Sequence, residues 1–275
     1  MKEFPFSDSD FKAISDKVYK ACGIVLGPHK REMVYSRLAR RIRANNLDSF
    51  SAYLDYLDDH LDEEFSAFIN AITTNLTSFF RENHHFEFLK DDLIPLLLKR
   101  NQQSKRVRIW SAGCSTGEEP YSIAMTICEQ FPKTWDVKIL ATDLDSNVLE
   151  RACRGEYSAT NVTGLSDVQL KKFFLKSPDG SLFKVKSEIQ KMVHFKRLNL
   201  LENWPMKGPF DVIFCRNVLI YFDKETKDQL FEGYYSLLAD HGHLLIGHSE
   251  SMGKEHTEYK SLGKTMYRKA SYASI

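Results

Sequence analysis

The stretch of residues 107–125 constrains the fold of this chain more than any other segment. A short apolar run (107–110) is followed by a turn of small residues that contains Gly113 and Gly117. A helical pattern comes next, with Pro120 near its first turn, where the missing N–H of proline does no harm. Strand, glycine turn and helix form the geometry in which backbone N–H groups approach a nucleotide-like ligand. The segment therefore predicts a ligand site at the end of a strand.

Two acidic residues, Glu118 and Glu119, follow this turn, where a phosphate-binding loop would place cations. A carboxylate there repels a diphosphate but suits ribose hydroxyls and a positively charged centre. We therefore interpret the turn as a site for S-adenosylmethionine (SAM) rather than for NAD or ATP. The turn also departs from the G-x-G-x-x-G pattern of dinucleotide-dependent dehydrogenases. In the alternative interpretation, Glu118 is simply a first-turn acid that the helix dipole favours.

Composition excludes several classes of protein. The chain has 275 residues, of which 43% are hydrophobic and 27% charged, as in an ordinary globular protein. The net charge of +1 argues against extensive nucleic-acid binding, so any electrostatic function is local. The cysteines lie apart with no C-x-x-C pair, which favours buried thiols in a reducing compartment. The N-terminus does not resemble a signal peptide and no apolar run approaches about 18 residues. We expect a cytoplasmic protein with no direct membrane insertion.

The first part of the chain carries helical periodicity throughout. Four helices are predicted: one capped by Ser7 or Ser9 and ending near Gly23, then about 30–45, 50–57 and 65–72. From about residue 105 onward, short apolar runs alternate with helical patterns, which is typical of a mostly parallel sheet wrapped by helices. These runs are Val107–Trp110, Val137–Ala141, Met192–Phe195, Val212–Cys215 and Leu244–Gly247.

These two sequence patterns predict the fold class and the domains. The class is α/β, with an all-helical N-terminal domain followed by a domain built on a Rossmann-like parallel sheet. We expect a helical domain over 1–74, a linker over 75–90 that contributes to the cofactor site, and the sheet domain over 91–275. Within the last, a Pro-Asp-Gly turn beside an alternating run predicts a small inserted β-subdomain at about 158–191. A continuous helical periodicity runs from Phe86 to Leu97.

Polar residues follow two of the predicted strands. Asp143 ends the second strand, where sheets of this kind bind ribose hydroxyls, and Asp145 can instead cap the next helix. Arg216 and Asn217 follow the strand at 210–215, and Tyr221 lies a few residues further on. Because α/β sheets place active sites at the carboxyl ends of their strands, these residues are candidates for the site. The structural alternatives are a salt bridge from Arg216 to Asp211 or Glu118 and a turn role for Asn217.

Three other groups complete the candidates. The linker stretch TTNLTSFFR (73–81) mixes amide, hydroxyl, guanidinium and phenyl groups, and we expect it to fold over the ligand. Arg37, Arg40 and Arg41 share one side of the second helix, either as a solvated face or as a grip for an acidic partner. The adjacent pair His84-His85 lacks the ligand spacing of a metal site, and no metal is expected. His248 can line the site at the end of the last strand.

Together these motifs resemble the CheR-type chemoreceptor glutamate methyltransferases over essentially the whole chain. The segments that carry the resemblance are TTNLTSFFRE (73–82), WSAGCSTGEEPYSIA (110–124), ATDLD (141–145), LNLL (198–201), PFDVIFCRNVLIYFD (209–223) and GHSES (247–251). The resemblance implies SAM contacts at matching positions, which are Asn75, Thr77, Arg81, Glu118, Asp143, Asn199, Leu200, Arg216 and Asn217. It also implies that Arg81 and Tyr221 take part in the methyl-transfer step.

The resemblance implies that residues 1–74 are a substrate-docking domain and that residues 91–275 are a Rossmann-like SAM-dependent methyltransferase domain. It further implies a reaction and partners. Methyl transfer to glutamate side chains of chemoreceptors would give methyl esters and S-adenosylhomocysteine, in the service of chemotactic adaptation. The receptor's cytoplasmic helical bundle becomes the candidate partner of the basic helix. In some members the β-subdomain also binds a peptide at the receptor's C-terminus by strand addition. Two rival interpretations stay open: a methyltransferase acting on another acceptor, such as RNA or a small molecule, and a non-catalytic SAM-binding regulatory module.

Overall fold

A computed structural model describes residues 2–270, which form two compact units. One unit contains the chain up to Thr74 together with Tyr221–Thr226. The other contains Asn75–Ile220 and the chain from Lys227 onward. No stretch of residues 2–270 forms a helix with both the length and the apolar content needed to cross a bilayer.

The first unit is helical, as predicted. Its helices are α1 (Asp8–Cys22), α2 (Arg31–Ala44), α3 (Phe50–Asp59) and α4 (Leu61–Ile72), with a 3₁₀ turn at Pro28–Lys30. Ser7 caps α1 by accepting from the backbone N–H of Asp10, whose carboxylate accepts the N–H of Ser7 in return. Gly23 ends that helix with a φ of 67°, a left-handed conformation. The apolar stripes of these helices form a core of their own.

The second unit is built on a seven-stranded sheet. In chain order, the strands of the protein are β1 (Arg106–Ala112), β2 (Asp136–Asp143), β3 (Glu156–Ser158), β4 (Phe174–Lys176), β5 (Leu182–Val185), β6 (Val193–Arg197), β7 (Phe210–Cys215), β8 (Leu238–Ile246), β9 (Tyr259–Gly263) and β10 (Met266–Lys269). The order in the large sheet is β6-β2-β1-β7-β8-β10-β9. The first five strands run parallel, and β10 and β9 add an antiparallel edge.

The helices that accompany this sheet are α5 (His84–Phe88), α6 (Ile94–Arg100), α7 (Glu118–Ile127), α8 (Ser146–Arg154), α9 (Asp167–Phe173), α10 (Ser187–Gln190) and α11 (Lys224–Leu237). The continuous periodicity after Phe86 is not one regular helix, because a π-helical turn at Leu89–Leu93 separates α5 from α6. A 3₁₀ turn at Leu219–Tyr221 precedes α11.

Strand β1 is the middle one of the five parallel strands. Trp110 lies beside Leu140 of β2 on one side and Ile213 of β7 on the other. Chain order therefore reverses direction at β1, which opens a crevice beyond the carboxyl ends of β1 and β7. All six residues of β7 are buried, as expected for a strand covered on both faces.

The predicted β-subdomain is present as a separate three-stranded antiparallel sheet. Its order is β3-β5-β4, so β5 is central and the other two strands are edges. A turn at Pro178–Gly180 joins β4 to β5, with Gly180 at a φ of 74°. Phe173, Phe183 and Val185 bury their side chains against the main core, which anchors this small sheet.

Candidate functional site

The parallel strands bring several loops to one edge of the large sheet. Because β6, β2, β1, β7 and β8 are parallel, the residues that follow them lie at a common edge. In the order of the sheet these are Asn199 and Leu200, Asp143, the glycine turn 113–117, Arg216 and Asn217, and Gly247–Glu250. The sequence prediction of a site at the strand ends is consistent with this arrangement.

The turn after β1 is held in a conformation that requires glycine. Gly113 has a φ of 88°, and a Cβ there would lie 2.3 Å from Cγ2 of Val218, which is too close for any side chain. The backbone N–H groups of Gly113 and Cys114 both donate to the carbonyl of Thr142, at 2.8 and 2.9 Å. The turn is therefore tied to the end of β2 and packed against the loop after β7.

Asp143 presents a half-buried carboxylate at this edge. One oxygen accepts the backbone N–H of Ser115 at 2.7 Å, and the other accepts that of Asp145 at 3.0 Å. Burial raises the pKa of Asp143 to about 6, although these backbone hydrogen bonds lower it. Each oxygen keeps a lone pair for a further donor, so the group suits the two hydroxyls of a ribose.

Asp145 has a different task from Asp143. Its carboxylate accepts the N–H groups of Asn147 and Val148, at 2.8 and 3.3 Å, and so caps α8. It also accepts the side-chain amide of Asn75 at 2.8 Å. The capping interpretation therefore describes Asp145, while Asp143 remains the candidate for the ligand. Asn75 is brought to the same edge, where its backbone carbonyl accepts the hydroxyl of Ser115 at 3.1 Å.

The two acids at the start of α7 have different surroundings. Glu118 is buried and accepts the hydroxyl of Thr116 at 2.6 Å; burial raises its pKa. Glu119 accepts the hydroxyl of Ser111 at 2.7 Å and pairs with Arg216 at 2.9 Å. Glu119 is thus committed to an internal ion pair, and Glu118 remains the candidate for the ligand.

Arg216 is turned into the protein. Its side chain is only 2% exposed and pairs with Glu82 at 3.2 Å as well as with Glu119. It also donates to the backbone carbonyl of Arg81, and its guanidinium lies 5.5 Å from the ring of Phe86. A role for Arg216 in cofactor binding stays a prediction, and it would have to act through the backbone or through these partners.

The proposed salt bridge from Arg216 to Asp211 or Glu118 is wrong. Asp211 lies near the amino end of β7, where it accepts from Arg100 and Asn101 and from the backbone N–H of Arg108. Arg216 follows the carboxyl end of β7. Because a β-strand rises about 3.3 Å per residue, the length of β7 separates Arg216 from Asp211.

The linker runs along this edge. The backbone N–H of Phe80 donates to the hydroxyl of Ser122 in α7 at 2.9 Å. The guanidinium of Arg81 donates to the carbonyl of Leu76 at 2.8 Å. Arg81 and Thr77 are both half-buried. Two linker residues therefore lie beside the strand ends with polar side chains that are still partly accessible.

Asn199 and Leu200 follow β6 at the outer side of the site. Asn199 accepts the N–H of Leu201 and donates to Glu202, both at 3.2 Å, which shapes a compact turn. The carbonyl of Leu200 accepts the indole N–H of Trp204 at 3.1 Å. Both residues are half-buried, and their role in SAM binding stays a prediction.

Tyr221 belongs to the helical unit rather than to the unit that holds Arg81. Its hydroxyl donates to the carbonyl of Thr74 at 3.2 Å, and its own carbonyl accepts the N–H of Val25 at 2.8 Å. The ammonium of Lys30 lies 4.7 Å from the centre of its ring. Two residues between α1 and α2, Val25 and Lys30, and Thr74 after α4 therefore contact a residue that the sequence places after β7.

The three arginines of α2 differ in what they contact. Arg37 donates to the carbonyl of Ile72, the last residue of α4, at 2.9 Å and to that of Thr73, which follows it, at 2.5 Å. Arg41 forms a two-bonded pair with Glu64. Arg40 is exposed, and no hydrogen bond or ion pair of its side chain occurs within residues 2–270. Of the three, Arg40 has the side chain most available to a partner.

Sequence reasoning missed two acids at the site. Glu82 pairs with Arg216 and with His248, an exposed residue at 2.6 Å. Glu250 accepts the backbone N–H groups of Gly247 at 2.5 Å and of Asn217 at 3.0 Å. Both acids stand inside segments that carry the family resemblance, 73–82 and 247–251, but nothing local reveals their distant partners. Within residues 2–270 no cluster of His, Cys, Asp and Glu has the arrangement of a metal site.

Comparison with known proteins identifies the family. Residues 9–73 match the CheR methyltransferase all-alpha domain, and residues 75–268 match the CheR methyltransferase SAM binding domain. The chain is 43% identical over 268 residues to the chemotaxis protein methyltransferase of Salmonella typhimurium, covering 95% of this chain and 90% of that protein. For the Escherichia coli protein of the same description the identity is 42% over 268 residues, covering 95% and 91%. For chemotaxis protein methyltransferase 2 of Pseudomonas aeruginosa it is 42% over 274 residues, covering 98% and 96%. The chain therefore belongs to the CheR family of SAM-dependent chemotaxis methyltransferases.

Proposed function

We propose that this chain transfers a methyl group from SAM to glutamate side chains on the cytoplasmic helices of chemoreceptors. The products are glutamate methyl esters and S-adenosylhomocysteine. One observation carries the proposal beyond the family match: the same sheet edge holds Asp143, a hydroxyl-accepting carboxylate, and Arg81, a partly accessible guanidinium. The first suits the sugar of SAM, and the second suits a carboxylate acceptor.

The cofactor site is proposed at the positions that the family resemblance implies. These are Asn75, Thr77, Arg81, Glu118, Asp143, Asn199, Leu200, Arg216 and Asn217. When bound, SAM supplies a methyl group activated by its sulfonium charge. Asp143 accepts ribose hydroxyls, and the buried Glu118 adds negative charge near the glycine turn. Arg216 contributes to SAM binding through its backbone and by fixing the positions of Glu82 and Glu119, because its guanidinium is already paired with these two acids.

The acceptor needs orientation rather than activation. A glutamate side chain has a pKa of about 4.3 and is ionised at neutral pH, so no general base has to remove a proton. Charge diminishes on both reactants as the transition state forms, so alignment and exclusion of water supply most of the rate. We propose that Arg81 and Tyr221 orient the carboxylate, since a guanidinium fork and a phenol hydroxyl both match its lone pairs.

The proposed partners follow the same division of the chain. Residues 1–74 are the docking domain, 75–90 the linker to the cofactor site, and 91–275 the methyltransferase domain. Arg40 would contact the acidic receptor bundle directly, while Arg37 and Arg41 hold α2 and α4 together and add to the positive field. Because the proposed acceptor lies on the cytoplasmic helices of receptors, we propose that the enzyme works in the cytoplasm. We propose no nucleic-acid partner.

The β-subdomain offers a second contact for the receptor. Strands β3 and β4 each have one neighbour in the three-stranded sheet, so their outer edges can pair with an extended peptide. Leu175 of β4 is exposed on that strand. We propose that a receptor C-terminal peptide adds there. Calorimetric titration with such a peptide tests this, and a lack of heat would confine recognition to the helical domain.

Transfer of labelled methyl from SAM to membranes that contain the host's chemoreceptors tests the reaction. Label released as methanol in mild base establishes a carboxyl methyl ester. Base-stable label would mean another acceptor, and SAM binding without any transfer would favour the regulatory module. At saturating SAM, Arg81→Ala and Tyr221→Phe are expected to lower kcat by about a hundredfold or more. Near-normal turnover of Arg81→Ala would remove Arg81 from the mechanism.

A further inference from the structure

We infer that Glu82 is a positioning residue for methyl transfer, which holds the linker at the sheet edge and so directs the side chain of Arg81. The inference rests on the proposed role of Arg81 and adds a residue to it. We call Glu82 with its partners Arg216, Asn217 and His248 the Glu82 network.

Glu82 joins the linker to the ends of two strands. One carboxylate oxygen accepts the side-chain amide of Asn217 at 3.2 Å and approaches Nδ1 of His248 at 2.6 Å. The other accepts the backbone N–H of His248 at 3.1 Å and pairs with Arg216 at 3.2 Å. Arg216 and Asn217 follow β7, and His248 follows β8. A single linker carboxylate therefore connects the two loops that close this side of the site.

The carboxylate is charged and nearly enclosed. Its side chain is 10% exposed. Burial raises the pKa of Glu82, but its interactions with His248, Arg216 and Asn217 have the larger effect and lower the pKa to about 2. Glu82 therefore stays ionised at any physiological pH. A buried ion pair with several hydrogen bonds gives little net stability but fixes geometry, because removing one partner leaves the other unpaired.

The backbone on both sides of Arg81 is unusual. Phe80 has a φ of 52° and Glu82 a φ of 55°, so Arg81 stands between two left-handed residues that are not glycine. Such conformations are unfavourable for residues with a Cβ and persist only where surrounding contacts enforce them. The contacts are the hydrogen bond from Phe80 to Ser122 on one side and the Glu82 network on the other.

Arg216 adds a direct connection to Arg81. One of its terminal nitrogens donates to the backbone carbonyl of Arg81, and the other pairs with Glu119 at 2.9 Å. Its Nε is buried without a hydrogen-bond partner in residues 2–270, so the guanidinium depends on Glu82 and Glu119 for its compensation. Loss of the Glu82 charge would let both this guanidinium and the Arg81 carbonyl shift.

A double-mutant cycle with Arg81 tests the inference. In the otherwise unchanged enzyme, Glu82→Gln is expected to lower kcat roughly tenfold or more, with the KM for receptor membranes within about threefold. In the Arg81→Ala background the same change is expected to lower kcat by less than about twofold, because there is no guanidinium left to direct. Arg216→Lys, which keeps the charge but loses the fork, is expected to show the same coupling.

Controls separate positioning from general destabilisation. Glu87→Gln removes the charge of an exposed acid of α5 whose carboxylate accepts a hydrogen bond from Asn83, and it should leave kcat unchanged. Thermal unfolding should show the same shift for Glu82→Gln in both backgrounds. An equal fall in kcat with and without Arg81, or no fall at all, overturns the inference while leaving the proposed function standing. Normal turnover of Arg81→Ala alone overturns the proposed role of Arg81, and the inference with it.

Discussion

The guanidinium of Arg41 donates two hydrogen bonds to the carboxylate of Glu64, at 2.8 and 2.6 Å. The hydroxyl of Tyr53 donates a third at 2.7 Å, and the side chain of Glu64 is only 5% exposed. This pair joins α2 to α4 within the helical unit. Arg41, which was predicted to contact a partner, therefore also has a structural role. This role can be distinguished experimentally from the docking role proposed for its neighbour Arg40.

Arg41→Ala is expected to lower the free energy of unfolding by about 2 kcal/mol, because it leaves a buried carboxylate without its charged donor. Arg40→Ala removes an exposed side chain and should change it by less than about 0.5 kcal/mol. Urea unfolding at neutral pH measures both. Equal midpoints for the two variants would show that the buried pair contributes nothing.

Charge reversal at Arg40 is expected to raise the KM for receptor membranes with little change in kcat, since the charge acts on docking. The effect should shrink as salt is raised from physiological ionic strength towards 1 M, where the screening length is about 3 Å. Lys133→Glu, which reverses an exposed cation in the loop before β2, is the matched control. A salt-independent effect, or an equal effect of Lys133→Glu, would contradict docking through Arg40.

SAM affinity is expected to depend on pH through Asp143. Burial raises the pKa of this carboxyl to about 6, and hydroxyl donors prefer its ionised form. Affinity should therefore be constant above about pH 7 and fall by up to tenfold per pH unit below 6. Calorimetry across this range measures the slope. In Asp143→Asn the affinity should be lower throughout and the slope should vanish; a slope that survives belongs to another group.

The stability of the protein is expected to depend on pH through His256 and to fall as the pH rises, whereas SAM affinity is expected to fall as the pH is lowered. Burial lowers its pKa, but hydrogen bonds with Asp228 and Glu258, both at 3.0 Å, raise it more, so the net shift is upward. A raised pKa means that the folded state binds the proton more tightly. The stabilisation is complete below the ordinary pKa of about 6.5 and is lost as the pH rises through the folded value.

The difference in free energy of unfolding between the wild type and His256→Gln should therefore be larger at about pH 5.5 than at about pH 8.5. Urea unfolding at the two pH values measures it. A difference that grows with pH would mean that His256 is held neutral in the folded protein.

Gly113→Ala is expected to destabilise the protein by about 2 kcal/mol or more and to abolish SAM binding. Two causes add: a φ of 88°, and a Cβ that would lie 2.3 Å from Cγ2 of Val218. Val218→Ala in the same chain removes only the overlap, so it should restore part of the stability. Full restoration, seen by thermal unfolding, would show that the backbone conformation itself costs nothing.

Local patterns predicted much of the fold. Helix caps and apolar stripes gave α1 to α4 within a few residues, since Ser7 and Gly23 mark the ends of α1 chemically. Strands β1 and β7 were visible as short apolar runs because they are covered on both faces. The position of Asp143 at a strand end, and the capping alternative for Asp145, also followed from residue type and position alone.

Other features depend on contacts that no local pattern reports. The π-helical turn at Leu89–Leu93 has the same apolar spacing as an α-helix over so short a length. The hairpin of β9 and β10 was missed, because its turn places Lys264 and Thr265 at positive φ instead of two typical turn residues. Arg216 was assigned the wrong acids because its partners are set by tertiary packing: Glu82 comes from the linker and Glu119 from α7.

The inclusion of Tyr221–Thr226 in the helical unit has a consequence for engineering this enzyme. The hydroxyl of Tyr19 donates to Asp223 at 2.6 Å, and the N–H of Val25 donates to the carbonyl of Tyr221 at 2.8 Å. The helical unit is thus discontinuous in the chain, and a cut at residue 74 does not release a whole module. A chimera that takes only residues 1–74 from a relative would pair foreign helices with the native segment around Tyr221. Receptor specificity would then be exchanged intact only by grafts that carry both pieces.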